Sequence, residues 1–175
     1  WHTLGNCLFG QELYKEASVA YTRALALNPT RWENASGLAR SETKLGNMKK
    51  AKGAIDKLKP LADGDDSILL TQADLYLHAG WRTEAAECCK RHISRRGDSV
   101  DGHALLGNVY HDSGDFAKAA QSFENALEIA PEDPEIWNNL GYSYFCAGLL
   151  DRALMCYDKA IELDLRYKHA WYNKG

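Results

Sequence analysis

The sequence repeats itself every 34 residues, and this period limits the possible folds more than any other feature. Five alanines follow one another at that spacing: Ala17, Ala51, Ala85, Ala119 and Ala153. Four glycines keep the same period, each five residues before one of these alanines: Gly46, Gly80, Gly114 and Gly148. A constant period of roughly 20 to 50 residues is typical of stacked repeat proteins, because a single unit of that size cannot bury its apolar face alone.

Aromatic residues follow the same register. Three positions of the repeat are aromatic in several units: Tyr21, Phe123 and Tyr157; Tyr76, Tyr110 and Tyr144; Trp1, Trp137 and Trp171. The register divides the chain into 1–31, 32–65, 66–99, 100–133 and 134–167, with 168–175 as the start of a sixth unit. The first unit lacks its opening residues, and the chain does not begin with Met. We therefore expect it to be a piece of a longer protein.

Each unit is predicted to contain two helices. In 100–133, Leu106, Val109 and Tyr110 have the i, i+3, i+4 spacing of one helical face, and a second apolar stripe begins at Phe116. Pro131 should end the second helix, since proline lacks the amide hydrogen that a helix needs. The pattern predicts an all-α protein.

Small residues in this unit indicate close packing. We expect Gly107 and Ala119 to let two helices approach closely, while Tyr110 and Phe123 fill the gap between units. Gly114 should occupy the turn between the helices, where a β-branched residue would be strained.

The pattern resembles the tetratricopeptide repeat (TPR). In the fifth unit it is carried by Trp137, Leu140, Gly141 and Tyr144, followed by Gly148, Ala153, Tyr157 and Ala160. The resemblance extends over essentially the whole chain. It implies a right-handed superhelical α-solenoid of 34-residue helix-turn-helix repeats, with 1–175 forming a single array. It says little about function, because this repeat serves many unrelated processes.

The second and third units depart from the pattern. Glu42 stands where an aromatic residue is usual and Gln72 where a core leucine is usual, so we expect any bend or special contact here. Pro60 should end the second unit's last helix early. Residues 62–67 are typical of a loop followed by a helix N-cap.

The resemblance also implies a binding surface, because the first helix of each TPR unit lines a concave groove that meets an extended peptide or a partner helix. The groove residues it implies are Asn6, Arg40, Lys44, Asp74, His78, Asn108, His111, Asp112, Asn138, Tyr142 and Phe145. Asparagine suits a peptide ligand because its amide both donates and accepts hydrogen bonds. Such a groove is basic at one end, acidic in the middle and apolar at the other end. The alternative is that these are ordinary solvated residues and that the binding site lies elsewhere.

One TPR subclass binds the acidic tails of heat-shock chaperones through a clamp of lysine, asparagine and arginine. This chain has Asn108 and Asn139 at two matching places, but Ala104, His169 and Asn173 at the cationic ones. A carboxylate needs fixed positive charge to offset its desolvation, so we expect no chaperone-tail binding.

Composition and motifs exclude several other functions. The net charge of -3 gives no electrostatic reason to expect nucleic acid, and no apolar run is long enough for a membrane span. The sequence contains no catalytic motif and no histidine spacing suited to zinc, so we expect no enzyme activity, cofactor or metal. Five cysteines without a C-x-x-C pair indicate reduced thiols and a cytoplasmic location.

These observations favour a non-catalytic scaffold that binds a protein or peptide in its groove and so helps to assemble a larger complex. Two alternatives remain open. The chain could be the substrate-recognition arm of a larger enzyme such as a glycosyltransferase. It could also self-assemble into a homo-oligomer through uncapped repeat ends, which would expose apolar surface.

Overall fold

The computed structural model describes all 175 residues, which form twelve α-helices and no strand. The helices are α1 (His2–Gly10), α2 (Tyr14–Leu27), α3 (Trp32–Lys44), α4 (Met48–Asp56), α5 (Lys59–Ala62), α6 (Asp66–His78), α7 (Arg82–Arg95), α8 (Val100–Asp112), α9 (Phe116–Ile129), α10 (Pro134–Cys146), α11 (Leu150–Leu163) and α12 (Lys168–Lys174). The predicted all-α class is confirmed. None of these helices has both the length and the apolar character needed to cross a bilayer.

The glycine ladder sets the turns inside the helical pairs. Gly46, Gly80, Gly114 and Gly148 all adopt left-handed backbone angles, with φ between 74° and 81°. A Cβ added at any of them would contact nothing within 4 Å, so the backbone angle rather than lack of space selects glycine. The predicted role of Gly114 is confirmed. The first unit has Glu12 at the matching place, with φ 61°.

Short polar side chains cap the starts of α6, α8, α9 and α10. The Asp133 carboxylate accepts hydrogen bonds from the backbone amides of Glu135 and Ile136 at 2.9 and 3.2 Å, which caps α10. Asp65 accepts from the Ser67 amide at 2.9 Å and caps α6, which confirms the predicted N-cap. The loop itself is shorter than predicted, since only 63–65 lie between α5 and α6.

Two compact units make up the chain, Trp1–Cys88 and Cys89–Gly175. In the first, successive helices pack in pairs, and α3 also contacts α1 and α6. Its most deeply buried large side chains include Tyr76, Ile55, Leu58 and Leu69. The core of the second unit gathers Phe123, Leu140, Tyr144 and Tyr157 from α9, α10 and α11.

Small residues face aromatic rings inside the hairpins. A Cβ on Gly107 would lie 2.7 Å from the Phe123 ring, and a Cβ on Gly141 would lie equally close to Tyr157. These distances confirm the close approach predicted for Gly107. The Phe123 ring therefore lies on Gly107 of its own hairpin, and it also joins the cluster that contains Leu140 of the next pair.

The irregular second repeat, residues 32–65, has a local explanation. Its second helix ends at Asp56, and Pro60 then lies in the first turn of the short helix α5. Pro60 thus begins a new helix after the break, since a missing amide costs nothing in a first turn. Glu42 is 4% exposed, and its carboxylate accepts hydrogen bonds from Ser18 and from Asn47, the latter at 2.7 Å. A buried carboxylate with two donors has replaced the usual aromatic packing.

Candidate functional site

The eleven predicted groove residues all lie on the first helices of the pairs. Those in the first unit are on α1, α3 and α6: Asn6, Arg40, Lys44, Asp74 and His78. Those in the second unit are on α8 and α10: Asn108, His111, Asp112, Asn138, Tyr142 and Phe145. Within each unit the first helices contact one another, α1 with α3, α3 with α6, and α8 with α10. Their side chains therefore share neighbouring surfaces.

In the first unit the predicted residues are largely held by internal contacts. Asn6 accepts a hydrogen bond of 2.7 Å from the Tyr21 hydroxyl, and the Arg40 guanidinium lies 4.9 Å from the centroid of the Phe9 ring. Asp74 and His78 form an exposed pair on α6, with 3.1 Å between the carboxylate and Nδ1. Lys44 is exposed at the last residue of α3. This surface therefore offers charged side chains, and Leu4 on α1 is 46% exposed.

The second unit carries an exposed stack of rings, formed by His111 on α8 and by Tyr142 and Phe145 on α10; we call these three residues the ring ladder. The His111 and Tyr142 centroids are 4.9 Å apart with the planes 27° from parallel. Tyr142 and Phe145 are 6.4 Å apart and 11° from parallel. Tyr142 is 43% exposed and Phe145 51% exposed. The ladder is thus a pre-formed apolar strip open to solvent.

His111 is the inner member of the ladder. Its ring also meets the edge of Phe116, with 5.2 Å between centroids. Burial lowers the pKa of His111, while the neighbouring Asp112 acts in the opposite direction. The imidazole is therefore neutral at physiological pH and packs as an aromatic ring. Its Nε2 is buried without a hydrogen-bond partner, a cost that the stacking must offset.

Asn138 does not lie on the exposed surface where it was expected. It is 6% exposed, and its amide oxygen accepts a 2.9 Å hydrogen bond from Asn173 on α12. Its amide nitrogen donates to the Asn139 side chain at 3.3 Å. The residue ties α12 to α10, so its acceptor is already used. Asn108 and Asp112, by contrast, are exposed on α8 beside the ladder.

The sequence did not predict a second surface on α9, α10 and α11, where a groove of about 740 Å³ opens. Trp137, Leu140 and Tyr144 line it, although the repeat pattern assigns them to packing. The exposed Met155 in the middle of α11 was a signal that could have revealed it. No group of three or more His, Cys, Asp or Glu residues is placed to hold a metal ion.

Comparison with known sequences identifies the repeat. Family profiles described as tetratricopeptide repeat match residues 1–31 and 134–167, and a profile described as TPR repeat matches 107–148. Together they span about half of the chain. The human protein O-mannosyl-transferase TMTC1 is 24% identical over the whole chain, which corresponds to 19% of the length of that protein. The chain spans about a fifth to a quarter of the length of the curated relatives it matches.

Solved structures agree. TTC0263, a thermophilic TPR protein of Thermus thermophilus, matches with a TM-score of 0.70 and 26% identity, covering 98% of this chain and 94% of that one. YrrB, described as a TPR protein with an unusual peptide-binding site, matches with a TM-score of 0.69 and 18% identity over 97% of this chain and 88% of that one. With the 34-residue ladder and the packed helical pairs, the three profile matches show that the chain belongs to the tetratricopeptide repeat family.

Proposed function

We propose that this chain is a non-catalytic interaction module that binds a peptide segment of a protein partner and so contributes to a larger assembly. The ring ladder is the observation that carries the proposal. A protein surface seldom keeps stacked aromatic side chains open to water without a use, and aromatic residues dominate the energetics of protein interfaces. The peptide-binding site named for YrrB supports this class of function for the fold.

The chemistry of the surface selects an extended peptide with an apolar side chain. An aromatic or aliphatic residue of the peptide would cover Tyr142 and Phe145, whose rings are nearly parallel. The Asn108 amide lies on the same helix as His111 and offers both a donor and an acceptor to the peptide backbone. Asp112 adds negative charge at this edge, which favours a basic residue next to the apolar one.

Selection from a random peptide library displayed on phage, with this chain immobilised, tests the proposal. Selected peptides should contain an aromatic or branched aliphatic residue, and the double variant Tyr142→Ser/Phe145→Ser should weaken them by about tenfold or more. Leu27→Ser is the matched control, because Leu27 is 74% exposed and lies on α2 in the other unit. Peptides that bind the double variant as tightly as the original chain, or that lose binding equally in Leu27→Ser, would contradict the proposal.

A second candidate is suggested by the relative named as a transferase. Because TMTC1 contains a region similar to this whole chain, the module could serve as the substrate-recognition arm of a larger enzyme. The ring ladder would then hold a peptide of the protein substrate. In a longer protein of that kind, Tyr142→Ser/Phe145→Ser should raise KM for peptide substrates and leave kcat unchanged. An unchanged KM would contradict this second role.

A further inference from the structure

The second unit has a groove on a different face of α10 from the ring ladder. Helices α9 and α11 form its two walls and α10 its floor, and the volume of this open groove is about 740 Å³. Floor residues Trp137, Leu140 and Tyr144 follow each other at i, i+3 and i+7, so they share one face of α10. Tyr142 and Phe145 belong to another face of the same helix. The two surfaces can therefore be altered independently.

The titratable groups at the base of this groove, Tyr144 on α10 and Cys156 on α11, are both uncharged. Burial, with help from a hydrogen bond to Glu124, raises the pKa of Tyr144 to about 12, so the hydroxyl stays protonated and donates to that carboxylate. Burial also raises the pKa of the Cys156 thiol to about 11, which keeps it neutral. Met155 is 72% exposed at the rim, and methionine adapts its shape to apolar partners.

The walls carry opposite charges. The α9 wall contributes Glu124 and Glu128, one helical turn apart. The α11 wall contributes Arg152 and Lys159, with Met155 between them. The Arg152 guanidinium reaches over the floor and lies 5.6 Å from the centroid of the Tyr144 ring. Lys159 also pairs with Glu162 at 2.9 Å, and both of those side chains remain partly exposed. The groove is thus an apolar channel with an acidic bank and a basic bank.

The spacing along the walls indicates the shape of the occupant. Arg152, Met155 and Lys159 lie at i, i+3 and i+7, which extends over two helical turns, or roughly 10 Å. A helix that lies along such a channel presents its own apolar residues at i, i+3 or i+4, and i+7. The flanks of that helix meet the two banks, so its charges are fixed by theirs.

We propose that this groove docks an amphipathic helix of a partner protein. The helix has an apolar stripe, basic residues on the flank that faces α9, and acidic residues on the flank that faces α11. This surface is separate from the ring ladder, so the chain can hold two segments of its partners at once. The charge pattern also fixes the direction of the helix, because reversing the helix end for end would bring like charges together.

Calorimetric titration of the 175-residue chain with a designed helical peptide tests this assignment. The probe has leucines at i, i+3 and i+7, lysines on one flank and glutamates on the other. This probe should bind with its lysines facing the acidic α9 wall and its glutamates facing the basic α11 wall. A probe with lysine on both flanks should bind about tenfold more weakly, because it meets repulsion at the basic bank.

Two variants separate the apolar and the charged contributions. Met155→Arg should weaken the designed probe by about tenfold or more, while Met48→Arg, at the only other methionine of the chain, should not. The double variant Glu128→Lys/Lys159→Glu keeps Glu124 and Arg152, so each wall then carries both charges. In this variant the designed probe should lose its advantage over the probe with lysine on both flanks. Met155, Glu128 and Met48 are exposed, and Lys159 is partly exposed. Circular dichroism should therefore show unchanged helix content in every variant.

Several outcomes would overturn the assignment. These are binding that ignores the flank charges, binding that survives Met155→Arg, and binding that is lost in Tyr142→Ser/Phe145→Ser. A further one is self-association, detected by sedimentation, that Met155→Arg abolishes, since the occupant would then be a second copy of this chain. Failure of the ring-ladder experiment leaves this test intact, because Tyr142 and Phe145 do not line the groove.

Discussion

Replacing Gly107 with alanine sets two opposing effects against each other. A helical alanine is more stable than glycine by up to about 1 kcal/mol, because glycine loses more backbone entropy. The new Cβ, however, would lie 2.7 to 2.8 Å from three atoms of the Phe123 ring, where ordinary contact begins at 3.4 Å. Phe123 is 1% exposed and has no room to rotate away. Overpacking of this kind costs about 1 to 3 kcal/mol, so after the gain in helix propensity we expect a net loss of about 1 kcal/mol, within a range of about 0 to 2 kcal/mol.

Gly53 provides the matched control. It lies inside α4 and is exposed, and a Cβ added there would contact nothing within 4 Å. Gly53→Ala should therefore raise the free energy of unfolding by about 0.5 to 1 kcal/mol, the opposite sign from Gly107→Ala. Urea unfolding followed by circular dichroism measures both changes. Equal stabilisation by the two substitutions would refute the reasoning.

The chain itself suggests a rescue. Ala39, at the place equivalent to Gly107, is followed sixteen residues later by Ile55, at the place equivalent to Phe123, and both are 0% exposed. Phe123→Ile should therefore cost less stability in the Gly107→Ala background than in the original chain. A double-mutant cycle measures this coupling, and strictly additive effects would contradict the proposed contact.

Three further substitutions test the turns, the buried carboxylate and the ring ladder. Glu12→Gly should raise the midpoint of thermal unfolding and the free energy of unfolding, the latter by about 0.5 to 1 kcal/mol, because Glu12 has a left-handed φ of 61°. Gly114→Ala should lower the midpoint. Midpoints that change in the same direction in both variants would contradict the role of φ in these turns. Glu42→Leu should lower the free energy of unfolding by about 1 to 3 kcal/mol, because Ser18 loses its buried acceptor, and Glu42→Gln should lower it less. Urea unfolding measures both changes. A leucine variant as stable as the original chain would contradict a stabilising role of the buried carboxylate. Burial lowers the pKa of His111, so the stability that the neutral ring contributes is complete above the ordinary histidine pKa of about 6.5 and is lost as the pH falls through the lower folded-state pKa. The urea midpoint should therefore fall less in His111→Phe than in the original chain as the pH is lowered across that range. Identical pH profiles of the two proteins would contradict this.

The turns and helical pairs could be predicted because they depend on local backbone rules. Gly114 and the other three glycines of its ladder stand at places that need a positive φ, and only glycine adopts it without cost. Asp65 caps α6 through an amide two residues later, so the cap is visible in a short stretch of sequence. Such signals do not require knowledge of distant partners.

The buried polar contacts could not be predicted, because they depend on partners that are distant in the sequence. Glu42 stands at an aromatic position of the repeat, and its burial depends on Ser18, 24 residues earlier in the chain. Asn138 was expected at the surface, and its position follows from Asn173, 35 residues later. In both cases the partner decides whether a polar side chain is exposed, and nothing in the local pattern identifies that partner.

The two surfaces of the second unit also depend on how separate helices pack together. Tyr142 and Phe145 were expected in the groove, but the stacking of Tyr142 on His111 of α8 is a tertiary contact that the sequence does not show. The charged groove depends on α9 and α11 lying on either side of α10, which brings Glu128 and Lys159 to one channel. Charge patterns on separate helices become a site only when the packing is known.

The central claim is that the ring ladder is where a partner peptide docks. Chemical-shift mapping by NMR, with a library-selected peptide titrated into the isotope-labelled chain, tests this most directly. The account predicts the largest shifts at His111, Tyr142 and Phe145 and along the faces of α8 and α10 around them. Shifts confined to α9 and α11, or to helices of the first unit, would contradict it.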